Sequence, residues 1–369
     1  MAVPEQRDPE LARQRLNAWL PARMPAADDV AITAVRTPST NGFSSETLLF
    51  DAAWTRDGRR HEARYVARVA PTAYQIFPDS RAGFERQYRV LRTLADHTDI
   101  PVPAVHWFEP DPGTLGAPFY VMDHIEGRVP TDMPPYHQDG WVTQVPPAAR
   151  TRMWWGTLEA LARIHRLDHH TLGLDFLDDP RFGATGLDQR LGYYTDYLSW
   201  AYDGPQPTTR AALDWLRAHR PPRRRRPCLL WGDSRIGNVV FATDGTPLAL
   251  LDWENAALGA PEEDLAWFCY LDRHHSDGIN VPRLPGFPGR TETIAGYEEM
   301  LGRPLEDLDY YEVLSAFKFA VIMARIGQAF IDFELVPPDS DFPVNNTATQ
   351  LLARVLDLPA PGGAPAPFI

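Results

Sequence analysis

The chain has 369 residues, 44% of them apolar and 23% charged, enough for one large or two medium domains with a sizeable buried core. Its formal net charge of −13 argues against nucleic acid or an anionic membrane as the main partner. Two cysteines without a C-x-x-C spacing, no apolar signal core after Met1 and no stretch approaching ~18 apolar residues predict a soluble, reduced, cytoplasmic protein.

Residues 9–20 (PELARQRLNAWL) predict an amphipathic helix with Leu11, Leu16 and Leu20 inward. Strands are expected at 31–37 and 46–53, flanking STNGFSS (39–45), and again at 63–70. Over 82–96, Phe84, Tyr88, Leu91 and Ala95 share one helical face. Residues 105–110 and 117–125 read as strands joined by DPGTLG. After Gly127 the pattern turns helical, at 147–167, 187–203, 209–219, 261–272 and roughly 308–332. Two short strands, 228–232 and 248–253, interrupt these helices and are separated by the turn TDGTP. The Pro/Gly-rich tail from about 358 is expected to be disordered. The layout is α+β: a β-rich part over 1–126 with an N-terminal helix, and a helical part over 127–369.

Phosphoryl transfer needs a base to orient the acceptor hydroxyl, oxygen ligands for Mg²⁺ and a cation on the phosphates. WGDSRIGN (231–238) offers Asp233 and, five positions on, Asn238. Asp252 follows the apolar run 248–251, nineteen residues after Asp233, a gap that fits a hairpin returning a second carboxylate beside the first. A carboxylate at the end of a buried strand is costly without a partner, and Mg²⁺ is a natural one. Either segment alone reads as turn chemistry or a cap; order, spacing and strand context together point to a site.

The pair resembles the aminoglycoside phosphotransferase and choline kinase superfamily, with its H-G-D-x-x-x-x-N loop and [IL]-D-[WF]-[ED] segment. LDWENAALGAPEEDLAW (251–267) is similar to the continuation in that family. Within it, the chain looks like the branch that includes kinase domains fused to acyl-CoA dehydrogenases and actinobacterial aminoglycoside phosphotransferases, over about residues 31–335. The resemblance implies a bilobal protein-kinase-like fold with a small antiparallel β-rich N-lobe and a larger, mainly helical C-lobe. It implies ATP in the cleft, Mg²⁺, and a small-molecule hydroxyl acceptor. By position Asp233 looks like the catalytic base, Asn238 and Asp252 look like metal ligands, and Asp264 resembles a brace behind the catalytic loop. Arg235, inside the loop, is placed to neutralise the transferred phosphate, or faces outward.

For the nucleotide, Gly42, Phe43, Ser44 and Ser45 resemble the hairpin that covers the phosphates; no GK[ST] follows, so this is not a P-loop. Arg68 stands where the family usually has the phosphate-binding Lys. Its helix partner falls on Gln87 and not Glu85, because Val90 and Leu91 follow Gln87 at +3 and +4. Met122, Asp123, His124 and Ile125 lie where the family has its linker, with the adenine edge expected on the backbone of 123–125.

Trp231 replaces a scaffold His of many relatives. His165 is expected to pack rather than to bind metal with His169 and His170. RRRR (223–226) reads as a solvated loop, and Glu254, Glu262 and Glu263 as surface charges by default. The acceptor-facing segments carry Trp141, Tyr193, Tyr194, Tyr197 and Trp200 and are not clearly acidic, which favours a metabolic alcohol such as a hydroxyacyl compound over an aminoglycoside or other antibiotic. A nucleotide-binding pseudoenzyme is the other alternative, suggested by Arg68, Gln87 and Trp231.

Overall fold

Asp8 opens the first helix, α1 (Pro9–Trp19), by accepting a hydrogen bond from the Leu11 N–H, while Pro9 presets φ at the first helical position. The inward stripe is Ala12, Leu16 and Trp19, whereas Leu11 is 45% exposed, so the predicted face is rotated off Leu11. The computed structural model describes residues 7–38, 45–72, 74–78, 80–222 and 226–362. The chain divides into two compact units, Met1–Ile125 and Glu126–Ile369.

The first unit holds a five-stranded sheet of β1 (Asp28–Arg36), β2 (Glu46–Arg56), β3 (Arg59–Val69), β4 (Val105–Glu109) and β5 (Phe119–Asp123), with α2 (Ser80–His97) between β3 and β4 in the chain. Its order is β1-β2-β3-β5-β4, each neighbouring pair antiparallel. Strands β2 and β3 run longer than predicted. They close on a two-residue turn in which Asp57 and Gly58 both take positive φ (51° and 72°), the geometry a tight right-twisted hairpin requires. The polar run RDGRRHE hid these strand ends, because both faces of that part of β3 are exposed. Helix α2 buries Phe84, Gln87, Val90, Leu91 and Leu94 and packs on β4.

The second unit contains α3 (Trp141–Gln144), α4 (Pro147–His165), α5 (Gly186–Ala201), α6 (Pro207–Ala218), β6 (Cys228–Leu230), β7 (Val239–Phe241), β8 (Pro247–Leu250), β9 (Ala257–Gly259), α7 (Pro261–His274), α8 (Arg290–Leu301), α9 (Leu308–Asp332) and α10 (Thr347–Val355). Contrary to the sequence reading, α9 is long and apolar enough to cross a membrane on length and composition alone. Most of that stretch is buried, and α9 packs against α5, α6, α7 and α10 as the central helix of this unit. The gap between Asp233 and Asp252 does hold a hairpin, built from β7 and β8 rather than from the strand at 228–232. Strand β8 returns on β7, and β6 pairs with β9, a short apolar segment whose strand character the sequence did not signal. Helix α8 also escaped notice: it has no continuous apolar stripe and buries only Thr293 and Tyr297.

Candidate active site

Beyond β6 the chain turns at Gly232, whose φ is +87°. A Cβ there would lie 2.0 Å from the Asn255 carbonyl oxygen, so only glycine permits this backbone approach. Buried Asp264, in the acidic first turn of α7, caps the turn. Trp231 N–H donates to its Oδ2 at 2.7 Å and Gly232 N–H to its Oδ1 at 3.0 Å. Ser234 Oγ adds a bond to the Asp264 carbonyl at 2.7 Å. His165 lies between Asp264 and the Tyr297 hydroxyl, so it is packed into the scaffold.

From this braced loop Asp233 projects with both carboxylate oxygens engaged. Trp267 Nε1 donates to Oδ1 at 2.7 Å; Asn238 Nδ2 and Arg235 Nε donate to Oδ2 at 2.6 and 3.2 Å. Asn238 Nδ2 also reaches the Asp233 carbonyl at 3.0 Å. The nitrogen side of that amide is therefore spent, and among the described residues nothing donates to its Oδ1. A turn at Ile236–Asn238 leads into β7, where Val239 pairs with Leu250. One step further Leu251 N–H donates to the Asn238 carbonyl at 2.8 Å, so the residue before Asp252 lies opposite Asn238. The predicted strand through 253 ends at Leu250, and Asp252 takes a left-handed φ of 59°, uncommon for a residue with a side chain. Trp231 fixes this juncture: its Nε1 donates to the Leu251 carbonyl at 2.8 Å, and its ring lies 6.0 Å from that of Trp253. An amide oxygen and a carboxylate are hard donors of the kind Mg²⁺ takes.

Arg235 does not face outward. Its Nη1 donates to both oxygens of Asp132, at 2.7 and 2.6 Å, while its Nε holds Asp233. The guanidinium lies against Gly237, where a Cβ would meet Nη1 at 2.3 Å. Burial would raise the Asp132 carboxyl, but Arg235 and then His275 hold it below the usual range. Asp132 was invisible to the sequence reading because it lies 103 residues from its partner.

Glu262 and Glu263 are buried, not surface charges. Arg303 Nη1 donates to Glu262 Oε1 at 2.9 Å, whereas Arg190 Nε and Lys318 Nζ both donate to Glu263 Oε1, at 2.9 and 2.8 Å. Burial pushes the Glu263 carboxyl up, yet Lys318 and Arg190 outweigh it and bring it down to about 2.

In the first unit, Arg68 on β3 lies in register between Thr47 on β2 and Tyr120 on β5, and its Nη1 donates to Thr47 Oγ1 at 3.0 Å. Tyr120 in turn donates its hydroxyl to Oε1 of buried Gln87 at 2.9 Å, while Glu85 is exposed. Ser45 is buried, with a hydroxyl that has no partner among the described residues; Gly42, Phe43 and Ser44 lie outside them. Met122 is a buried strand residue opposite Val66 and Val105. Asp123 and His124 spend their N–H groups on the Ala104 and Arg64 carbonyls, and the Asp123 carboxylate meets His106 at 2.7 Å. Ile125 follows, half-buried.

His169, His170 and Asp175 bring their donor atoms within 4.8 Å of one another. Arg226, 3.5 Å from the neighbouring Asp168, places a cation beside the group, which opposes metal binding. Arg226 is exposed, and the other three arginines of the run lie outside the described residues. Of the aromatics, Tyr194 and Tyr197 are core, whereas Trp200 is exposed beneath Arg325, 4.1 Å from its guanidinium carbon.

Residues 42–298 match the family model described as the phosphotransferase enzyme family. An Arabidopsis thaliana protein named as a probable acyl-CoA dehydrogenase, IBR3, is 29% identical over 71% of this chain and 33% of its own length. The Gallus gallus acyl-CoA dehydrogenase family member 11 is 31% identical over 72% of this chain and 34% of its own. The chain thus spans about a third of the length of these curated relatives. Among solved structures, a Ralstonia eutropha JMP134 chain named provisionally as an aminoglycoside phosphotransferase superposes with a TM-score of 0.66 at 24% identity, covering 93% of this chain and 95% of that one. The GDP complex of an aminoglycoside 2'-phosphotransferase-IIIa mutant gives 0.59 at 14%, covering 94% and 97%. The fold is the α+β, protein-kinase-like one, with an antiparallel sheet in the first unit and mainly helices in the second.

Proposed function

This chain belongs to the phosphotransferase enzyme family, and we propose that it moves the γ-phosphoryl group of ATP, with Mg²⁺, to a hydroxyl of a small molecule. The observation that carries the reading is the Asp233 carboxylate held by Asn238, Arg235 and Trp267, with the chain of Leu251, just before Asp252, hydrogen-bonded back to Asn238. Asp233 Oδ2 is occupied by Asn238 and Arg235, whereas Oδ1 has one donor and keeps a lone pair for the proton of the acceptor hydroxyl. Asn238 Oδ1 and the Asp252 carboxylate are the metal donors. Mg²⁺ bound there supplies charge neutralisation for the transferring phosphoryl group. Arg68, Gln87 and the backbone near Ile125 are the nucleotide contacts of the first unit, together with the segment around Ser45.

We assign the acceptor to neutral or anionic alcohols, hydroxyacyl compounds among them. Three carboxylates of this unit are already matched with cations: Asp132 with Arg235, Glu263 with Arg190 and Lys318, and Asp272 with Arg283. That leaves little to recruit a polycationic antibiotic. The names of the curated relatives support an acyl-linked acceptor. The test is ATP consumption across hydroxyacyl thioesters, hydroxy acids, sugars and aminoglycosides, with Mg²⁺ omitted as control. Turnover is expected with an alcohol of the first groups and is expected to fall by at least ~10³-fold in Asp233→Ala. Wild-type transfer in that variant, or turnover confined to aminoglycosides, would overturn the respective parts of this assignment.

A further inference from the structure

Helices α5, α7 and α9 of the second unit bury a charge cluster that Trp267 joins to Asp233. Arg190 and Lys318 are both buried and both donate to one oxygen, Glu263 Oε1, so two cations share a single carboxylate. Two buried cations on one carboxylate leave positive charge for neighbouring anions, buried Asp264 among them. Arg190 lies over the ring of Tyr194, 5.4 Å from its centroid. Lys318 Nζ lies 4.8 Å from the centroid of Trp267, a buried residue. The edge of that same indole carries the N–H that donates to Asp233 Oδ1 at 2.7 Å.

A cation on the face of an indole is attracted by its π-electrons and draws them towards itself. The ring N–H becomes a stronger donor, as in any polarised hydrogen-bond chain in a low-dielectric interior. We propose that Lys318, acting through Trp267, is a positioning device for Asp233. The pair holds the carboxylate in the orientation that presents the remaining lone pair of Oδ1, and the surplus buried charge serves as its remote counter-charge. This inference rests on the reading of Asp233 as the base. Glu263 keeps the ammonium at its station without touching Asp233.

The full chain tests this in two ways. With the acceptor found by the screen, Trp267→Phe keeps a ring under Lys318 and deletes the N–H; kcat is expected to fall about 10–100-fold with the KM for ATP within about twofold. Lys318→Met is expected to lower kcat less, about 3–10-fold, and to add under about twofold in the Trp267→Phe background. Damage that is merely structural would multiply in both backgrounds and would track the melting temperature. Lys318→Gln replaces Lys318→Met should the latter not fold. Independently of activity, ¹⁵N-indole NMR should show the Trp267 N–H, assigned by its absence in Trp267→Phe, at the downfield edge of the tryptophan signals. It should move upfield in both Lys318→Met and Asp233→Ala. Undiminished kcat in Trp267→Phe, equal losses from Lys318→Met in both backgrounds, or an indole signal indifferent to Lys318 would each overturn the proposal. If Asp233→Ala itself retains activity, the assignment of the base fails instead, whatever Trp267 does.

Discussion

Replacing Asp264 by Ala should release the catalytic loop. The two amides it accepts, Trp231 N–H and Gly232 N–H, are buried and have no other partner among the described residues. A buried donor left unsatisfied costs about 1–3 kcal/mol, and two give about 2–6 kcal/mol. Alanine also strands His165, whose Nε2 lies 3.1 Å from Asp264 Oδ2. The expected loss is about 3–5 kcal/mol, a large share of the ~5–15 kcal/mol of a whole domain. Asp264→Asn keeps one acceptor oxygen and turns an NH₂ towards the second amide, so roughly half of that loss is expected. Urea denaturation followed by tryptophan fluorescence measures both variants, and phosphate transfer should fall alongside stability. If Asp264→Ala costs under about 1 kcal/mol, the loop does not depend on these two bonds and the brace is ornamental.

Gly232→Ala forces a side chain into a left-handed backbone, about 1–2 kcal/mol by itself, and drives Cβ to 2.0 Å from the Asn255 carbonyl oxygen. Loss of at least ~100-fold in kcat is expected from displacement of Asp233, and wild-type kinetics would show that the close approach is dispensable. Glu263 should make the fold acid-sensitive. Its carboxyl falls from 4.5 in the unfolded chain to about 2 in the folded protein, so its contribution is fully present above pH 4.5 and drains away as pH drops towards 2. That contribution is of the order of 3 kcal/mol. Urea midpoints measured from pH 7 to pH 3 should therefore fall, and Glu263→Gln should be about 3–5 kcal/mol less stable at pH 7, because it leaves two buried cations unmatched, with a flatter acid slope. An unchanged midpoint in Glu263→Gln at pH 7 would contradict the triad.

Local signals made much of this legible. Asp233, Asn238 and Asp252 stand out as candidates because turn chemistry and an apolar strand mark them within 20 residues of chain, and helices such as α2 and α9 announce themselves by periodicity. The pairing of β6 with β9 was not legible, because strands of three or four residues carry too little pattern to show which pairs with which. The Asp57-Gly58 turn was readable and overlooked amid a charged run. What no sequence pattern showed were contacts closed by tertiary packing: Asp132 on Arg235, Lys318 on Glu263, and Trp267 on Asp233. Glu262 and Glu263 read as surface charge because their burial depends on cations 41 to 73 residues away along the chain.

One helix does more than its length suggests. Within its fourteen residues α7 carries Asp264 under the loop, Trp267 on the carboxylate, Glu263 in the ion triad and Asp272 at the Tyr136 hydroxyl. The flanking strands β6 and β7 have three residues each and little ladder of their own. The loop that carries the chemistry therefore owns almost none of its rigidity and draws it from α7. Opening of the loop and fraying of the helix start become a single event, with one free energy and one protection factor for the amides of both. Variation that loosens the buried side of α7, far from any reacting atom, would be felt as loss of order at Asp233.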